Sequence, residues 1–505
     1  MQILLLVLIL ALFFHDAYPT AAVDVPRLGG LALLAVVVLP KLALLGGYGL
    51  LCRRMLDRLG KRGAQRAMLR FDRTGSLYRG AAVGLYLLDL YLGLLVAVRG
   101  AIGDLILLDE LVVLLPPLTV LIAAWWVYYP IERRIRESSL IGRLDAGMPI
   151  YPVWTRGQFV LSQIRHHMAL VLVPLLLILT WTEAVERFTP ARWRLLGGDP
   201  EPFIVLLGAG GVFLVAPLII RYVWDTVPLP AGELRDRLQA MCKQHRVGVR
   251  ELLLWRTFGG MINAAVMGIF APVRYILLTD ALLEMVRREQ VEAVMAHELA
   301  HVRRHHMFWL IAAALGMLGL LELGFGVLFF TLADTFPAEG VKAGPQLVAA
   351  GWTPGWADWL TDLLRSEQGL LAVTLLATGV CWYLAFGWVS RRIERQADAF
   401  AVQHLASNRP EPQRDADGRI VVDRTSAETM VGALQQVALL NHVPIHKSSW
   451  RHGSIGWRQA YLRRIVGQPI DQLSIDRQMF WINVASFVIL ALVIAVYTLA
   501  SLLAR

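Results

Sequence analysis

The chain has 505 residues, of which 56% are hydrophobic, and its mean hydropathy is +0.54. It is too long for one ordinary soluble domain, and its hydrophobic content excludes a soluble globular protein. The formal net charge of +10 does not indicate nucleic-acid binding, because the arginines lie in loops between apolar segments, where membrane topology explains them. The composition therefore predicts a mainly α-helical, polytopic membrane protein.

Apolar segments long enough to cross about 30 Å of hydrocarbon predict eight transmembrane helices, and a shorter segment predicts a ninth. The eight segments lie near residues 28–52, 80–98, 108–129, 168–182, 203–223, 307–332, 369–389 and 480–503. The shorter segment, residues 3–14, lacks the basic residues that precede the core of a signal peptide. We therefore expect it to be an uncleaved anchor.

The arginine distribution predicts the orientation, since Lys and Arg near the ends of membrane spans are retained in the cytoplasm. Arginines are dense between residues 53 and 79 and again between 130 and 167, so both loops are predicted to be cytoplasmic. Alternation along the chain then places two long polar stretches, 224–306 and 390–479, on the same side. If these stretches form one domain, it is divided in sequence by two membrane spans.

The first polar stretch has a readable local order. Its residue patterns predict an amphipathic helix at 230–238, strands at 251–257, 261–268 and 273–278, and an N-cap at Asp280. From Glu289 onward the apolar residues recur at helical spacing. The motif His-Glu-Leu-Ala-His at 297–301 is therefore predicted to lie on a helix.

That motif can form part of a metal site. Residues four apart share a helix face, so His297 and His301 can hold one ion while Glu298 reaches a water bound to it. Catalytic zinc needs three protein ligands and an open fourth position. In the second polar stretch Glu394 and Asp398 share a helical face, so Glu394 can be the third ligand and Asp398 can orient a histidine ring. A lone HExxH also arises by chance, and this second pair favours the metal site.

Four stretches of this chain, INAAVMG, HELAHVRRHH, SRRIERQADAFA and HGSIGWR, resemble a known family. They are similar to the integral-membrane glutamate zincins that include the type 1 CAAX prenyl proteases and the bacterial heat-shock protease HtpX. The similarity extends over residues 225–465 and more loosely over the five preceding spans. The resemblance implies a split gluzincin-type α+β catalytic domain, one zinc ion held by His297, His301 and Glu394, and Glu298 as general base and later proton donor.

The same resemblance implies roles for three other elements. Asn263-Ala264 would lie on an edge strand that pairs with an extended substrate peptide. His452 would stabilise the oxyanion of the tetrahedral intermediate, although Gly453 stands where the family usually has proline. Arg458 would be a structural or electrostatic support.

The predicted organisation has five segments. A transmembrane bundle (1–224) precedes the first catalytic part (225–306), which carries the edge strand and the HExxH helix. A transmembrane hairpin (307–389) leads to the second catalytic part (390–479) with the third ligand. A final transmembrane helix follows at 480–505.

Two further features have open interpretations. The four residues Arg303, Arg304, His305 and His306 are predicted to form a cationic helix end at the membrane face, near lipid phosphates. Asp89 lies inside an apolar span, where it either lines a water-filled chamber or makes a helix-to-helix hydrogen bond.

The sequence favours a membrane-bound zinc endopeptidase that cleaves membrane-associated or misfolded proteins. Its expected partners are such substrates and the lipid bilayer, and its expected place is a bacterial inner membrane with the site facing the cytoplasm. A site-2-type protease is disfavoured because HExxH precedes the apolar run instead of lying within it. An antirepressor-type sensor-transducer and a CAAX prenyl-protein processing enzyme remain the alternatives. A catalytically dead scaffold is disfavoured because all three ligands and the base are present.

Overall fold

The computed structural model describes residues 2–17, 30–59, 64–145, 153–189, 201–258, 261–335, 367–441 and 443–503. Helices account for most of these residues. They are α1 (Gln2–Ala17), α2 (Gly30–Leu59), α3 (Ala64–Tyr91), α4 (Leu94–Ile102), α5 (Leu108–Asp145), α6 (Arg156–Gln163), α7 (Ala169–Phe188), α8 (Glu201–Val223), α9 (Glu233–Gln244), α10 (Asp280–Met285), α11 (Arg288–Arg303), α12 (His306–Thr335), α13 (Glu367–Ser407), α14 (Arg424–Leu440), α15 (Ile455–Arg464) and α16 (Ser474–Leu503).

Four short strands form one sheet. They are β1 (Thr226–Pro228), β2 (Glu251–Trp255), β3 (Ala264–Met267) and β4 (Tyr275–Thr279), in the order β1-β2-β4-β3. β1 and β2 are antiparallel, with Val227 opposite Leu254. β3 is therefore the edge strand of this sheet, as the family resemblance implied.

Two compact units divide the chain. The first contains Met1–Pro228, Leu253–Gly260 and Phe270–Asp280, and the second contains Leu229–Leu252, Met261–Ile269 and Ala281–Arg505. The second unit contains the second predicted catalytic part and most of the first, whose residues 225–228, 253–260 and 270–280 lie in the first unit. The five-segment organisation with its membrane boundaries stays a prediction.

Six helical stretches are long and apolar enough to cross a membrane. They are Gly30–Asp57, Leu108–Glu137, Arg156–Phe188, Phe203–Val223, His306–Phe325 and Ser474–Ala500. A seventh span is possible where α3 and α4 meet at an angle of 61° within the predicted segment 80–98. The predicted segment 369–389 lies in α13 and is not among the six found in the described residues, and 3–14 forms part of the short helix α1. The prediction of a mainly α-helical, polytopic membrane protein is confirmed.

The first unit resolves the two interpretations of Asp89. This carboxylate is buried on α3 and forms an ion pair with the ammonium of Lys41 on α2, which also donates to the Val37 carbonyl at 2.8 Å. A charged group in an apolar bundle is stable only when it is paired in this way. Asp89 therefore joins two helices.

The predicted local order of the first polar stretch is confirmed at α9, β2, β3, β4 and α11. Asp280 is the first residue of α10, where the sequence predicted an N-cap. Its carboxylate accepts hydrogen bonds from the Thr257 hydroxyl at 2.6 Å and from the Phe258 N–H at 2.7 Å. It thereby ties the residues after β2 to the end of β4.

In the second unit, α11 packs against α13, α14 and β3. Its buried residues Val291, Met295 and Leu299 recur at helical spacing and supply the apolar face of this packing. His297, Glu298 and His301 lie on α11, and Glu394 and Asp398 lie on α13. The contact between these two helices therefore brings the two halves of the predicted site together.

Candidate metal centre

His297, His301 and Glu394 form a cluster that can hold a metal ion. One ligand atom from each lies within 4.8 Å of the others. The Nε2 atoms of the two histidines are 3.3 Å apart, and His297 Nε2 lies 3.7 Å from Glu394 Oε2. Two nitrogens bound tetrahedrally to zinc at about 2.05 Å are separated by about 3.3 Å. The donor set and its spacing therefore fit a zinc ion.

The other ring nitrogen of each histidine contacts a buried partner. His297 Nδ1 lies 2.9 Å from Asp398 Oδ1, and His301 Nδ1 lies 3.0 Å from His306 Nδ1. Contacts of this kind fix the orientation of a ligating imidazole and leave its Nε2 for the metal. The sequence proposed Asp398 for such a role, and the structure places it there beside His297.

Arg458 is the only cation buried with these carboxylates among the residues that the structure describes. Its guanidinium donates to both oxygens of Asp398, at 2.7 and 2.6 Å, and one of its nitrogens lies 3.3 Å from Glu394. Its bidentate pairing matches the fixed fork geometry of arginine. The position agrees with the supporting role that the family resemblance implied.

The fully ionised cluster carries more negative than positive charge. Glu298, Glu394 and Asp398 are three carboxylates, and Arg458 is one guanidinium, so two negative charges are left over when all are ionised and the histidines are neutral. Burying uncompensated charge is costly. A divalent cation would neutralise this excess, which is a second reason why the site fits zinc.

The pKa values of the carboxylates differ because their partners differ. Burial acts to raise the pKa of Glu394, but His452 and Arg458 outweigh it and hold this pKa well below its usual range. Burial also acts to raise the pKa of Asp398, but Arg458 and His297 outweigh it, so this pKa is lowered. At Glu298 burial dominates and raises the pKa to about 7, although His297 acts in the opposite direction. Glu298 is thus the carboxyl group best suited to exchange a proton near neutral pH.

His452 lies at the rim of the cluster. Its side chain is 51% exposed, and its Nδ1 is 2.9 Å from Glu394 Oε1. The next residue, Gly453, has a φ of +72°, and its backbone pairs with that of Ser449. Proline is fixed near a φ of about −65°. This backbone conformation therefore explains why glycine stands where the family has proline.

The predicted peptide-binding residues lie at the beginning of β3. Asn263 is exposed just before the strand, and Ala264 is its buried first residue. The Val266 N–H of the same strand donates to the Glu298 carboxylate. The strand β3 therefore lies beside Glu298, the expected general base.

Sequence reasoning missed three residues that support the site. His306 was assigned to the exposed cationic helix end, and that interpretation is wrong, because His306 is buried and contacts both His301 and Gln396. Asn441, just after α14, accepts from the Ile262 N–H at 3.0 Å and donates to the Ile262 carbonyl at 2.7 Å, which holds the entry to β3. No sequence pattern marked Gln396 or Asn441.

Comparisons with known proteins find similarity to peptidases. Residues 229–425 match the model of Peptidase family M48. The chain is 28% identical over 193 residues to the CAAX prenyl protease 1 homolog of Arabidopsis thaliana, covering 38% of this chain and 40% of that protein. It is 26% identical over 236 residues to a Protease HtpX homolog of Chlorobium phaeobacteroides (strain BS1), covering 45% of this chain and 71% of that protein.

The chain thus spans about 40% of the length of the CAAX prenyl protease 1 homologs of Arabidopsis thaliana and Oryza sativa subsp. japonica. The crystal structure of S. mikatae Ste24p aligns with 85% of this chain and 98% of that one, at 12% identity and a TM-score of 0.35, which is too low to carry an argument. The family model and the sequence relatives confirm the resemblance read from the four stretches.

Proposed function

We propose that this membrane protein, whose residues 229–425 match the model of Peptidase family M48, is a zinc-dependent endopeptidase. Its proposed substrates are membrane-associated or misfolded proteins. The observation that carries this proposal is the meeting of His297, His301 and Glu394 beside Glu298, a partly buried carboxyl group with a pKa near neutrality.

His297, His301 and Glu394 would hold the ion. A zinc ion bound there supplies a Lewis acid that polarises the scissile carbonyl and makes water more acidic. Asp398 and His306 orient the two imidazoles, and Arg458 keeps both Asp398 and Glu394 ionised as partners. All three proposed ligands therefore lie on the two helices α11 and α13, and each contacts a neighbouring side chain that can orient it.

Glu298 would move the proton. In its ionised form it takes a proton from the attacking water, and with a pKa near 7 it can then return that proton to the leaving amine nitrogen. A general base of this kind contributes about 10²- to 10⁴-fold to the rate.

The substrate would be positioned by β3 and by the loop of His452. An extended peptide adds to the outer edge of β3 through backbone hydrogen bonds, beginning at Asn263-Ala264. The half-exposed His452 imidazole can donate to the oxyanion that forms on the scissile carbonyl. The scissile bond would then lie between the strand and the rim.

We also propose that the site lies on the cytoplasmic side of the membrane. The dense arginines of residues 53–79 and 130–167 favour a cytoplasmic site, and the bias towards arginine over lysine favours a bacterial inner membrane. Protein quality control is the process that suits this place.

A second candidate is the processing of prenylated proteins, because one group of relatives carries the name CAAX prenyl protease 1 homolog. Cleavage of a farnesylated peptide and of the same peptide without the lipid separates the two candidates. If the protein processes prenylated proteins, it should cleave only the farnesylated peptide. If it acts in quality control, it should cleave both peptides.

The mechanism is tested by Glu298→Gln in the purified, zinc-loaded protein. We expect peptidase activity to fall by about 10²- to 10⁴-fold while the zinc content stays unchanged. Glu289→Gln is the matched control, since this exposed glutamate lies in the first turn of the same helix, and it should retain activity. Full activity in Glu298→Gln would show that the proposed base is wrong.

The substrates can be identified with the same variant. Glu298→Gln keeps the binding surfaces and slows cleavage, so membrane proteins that remain bound to it, but not to the wild type, are candidate substrates. A protein without peptidase activity that still holds zinc would instead support the sensor-transducer or the scaffold.

A further inference from the structure

A cavity of about 580 Å³ in the second unit lies outside the metal centre. It is formed where α9 and α11 end and where α16 begins. Its charged and titratable lining residues are Arg246, Arg303, Arg304, His245, His305 and Asp476. The cationic helix end predicted from the sequence, at the end of α11, thus forms one wall of this cavity. The end of α9 contributes Arg246 to another wall.

The cavity has an excess of positive charge. Three guanidiniums face one carboxylate, since Asp476 is the only acidic residue among its lining residues. The C-terminal ends of two helices add roughly −0.5 charge each. A net positive charge therefore remains, and the helix dipoles do not remove the need for an anion.

Two of the arginines are available for a ligand. Within the part of the chain that the structure describes, the side chains of Arg246 and Arg303 make no ion pair or hydrogen bond, and both are exposed. Arg304 has a long ion pair, 3.4 Å from Asp476, and its guanidinium lies 5.9 Å from the centre of the Phe400 ring. Asp476 has a stronger partner in the Gln396 amide, at 2.7 Å. An anion entering the cavity would not have to break a close pair.

The cavity lies at the level where two apolar spans begin. The candidate spans His306–Phe325 and Ser474–Ala500 start directly beside Arg304 and Asp476. Phe480 lines the cavity with 58% of its surface exposed, and the neighbouring Trp481 is 63% exposed. Exposed aromatic residues of this kind mark the boundary between hydrocarbon and headgroups.

From this arrangement we propose that the cavity binds the phosphate group of an anionic phospholipid. Guanidinium groups pair with phosphate through two parallel hydrogen bonds, which is the strongest contact that exposed arginines make. Arg246 and Arg303 hold the phosphate, Arg304 adds charge, and Phe480 contacts the beginning of an acyl chain. The site is separate from the proposed peptidase chemistry and needs no metal.

The test uses the purified full-length protein in a neutral detergent. It is titrated with phosphatidylglycerol, phosphatidylcholine and inorganic phosphate, and bound molecules are counted by native mass spectrometry. The wild type should bind phosphatidylglycerol in preference to phosphatidylcholine. Inorganic phosphate should bind more weakly than phosphatidylglycerol, because it lacks the acyl chain that reaches Phe480.

The double variant Arg246→Gln/Arg303→Gln should lose this binding. Each arginine near a membrane surface is worth about five-fold in affinity for an anionic lipid, so the expected loss for two is about twenty-five-fold. Arg287→Gln/Arg288→Gln removes the same charge at the other end of α11 and should change affinity by less than about two-fold. Equal losses in both double variants would overturn the proposal.

A second variant tests the site by gain of binding. Asp476→Asn removes the only carboxylate of the cavity and should strengthen phosphatidylglycerol binding about five-fold. This result remains informative if the arginine variants fail to fold. Unchanged binding in Asp476→Asn, or wild-type binding of inorganic phosphate as tight as that of phosphatidylglycerol, would overturn the assignment to a lipid.

Discussion

The second unit contains two charged clusters of opposite sign, and Gln396 lies between them. The metal centre has three carboxylates around Arg458, whereas the cationic cavity has three arginines around Asp476. Gln396 contacts His306 of the first cluster at 3.0 Å and donates to Asp476 of the second at 2.7 Å. In each cluster the sign of the unbalanced charge indicates the ligand, a divalent cation in one and a phosphate in the other.

The clusters differ in burial, and burial decides what their charges do. Arg458 is 6% exposed and Asp398 is fully buried, so removing one partner leaves a charge without solvent. Arg246 and Arg303 are exposed, so water already stabilises them without a partner. Substitutions of the buried charges in the metal centre should therefore lower the stability of the protein. Substitutions of the exposed arginines in the cavity should change ligand binding and leave the stability unchanged.

The largest effect is expected from Arg458→Leu. It leaves Asp398 without its bidentate partner, and breaking a buried pair costs about 3–5 kcal/mol. Chemical denaturation of the metal-free protein in detergent should show this loss, and zinc should reduce it. Arg463→Leu is the control on the same helix, because Arg463 is 52% exposed in its pair with Glu428 and should cost about 1 kcal/mol or less. Equal costs for the two variants would contradict the comparison.

The next effect concerns the contact between His306 and the ligand His301. His306→Asn should lower zinc affinity by about 10- to 100-fold, as expected when a residue that orients a ligating histidine is lost. Competition with a chelator of known affinity measures it. His305→Asn is the matched control, because Asn tolerates the left-handed backbone of His305, whose φ is +54°. Unchanged zinc affinity in His306→Asn would show that the contact does not orient His301.

A smaller effect is expected at the rim of the metal centre. Gly453→Ala puts a methyl group 3.1 Å from the Trp457 ring and imposes a left-handed conformation costing about 1–2 kcal/mol. Displacement of His452 should lower kcat while the zinc content stays unchanged. Gly467→Ala is the control, since Gly467 has a φ of +83° and nothing within 4 Å of the added methyl group. If the two variants lose kcat equally, the position of His452 is not the cause.

The smallest effect tests whether the clusters are independent. Arg303 lies two residues from His301 in sequence, yet its exposed charge is screened by solvent and salt. Arg303→Gln should therefore change zinc affinity by less than about two-fold in the same chelator assay. A change of ten-fold or more would mean that the two clusters act as one electrostatic unit.

Much of the fold could be predicted from the sequence because its signals are local. Apolar length predicted most of the spans, and helical spacing predicted α11 and the shared face of Glu394 and Asp398. These patterns act within one helix, where neighbouring residues determine the result. The bend between α3 and α4 lay within a continuous apolar segment, so hydropathy alone did not indicate it.

The sequence by itself determined the chemical inventory of the site: the two histidines, the glutamate beside them and the distant carboxylate pair. Only the tertiary structure decided which side chains pair with these residues. Arg458 reaches Asp398 from 60 residues away because α15 packs against α13, and His306 turns inward to His301 where α11 and α12 meet. Burial and long-range pairing depend on that packing. No local pattern could therefore separate the buried His306 from its exposed neighbour His305.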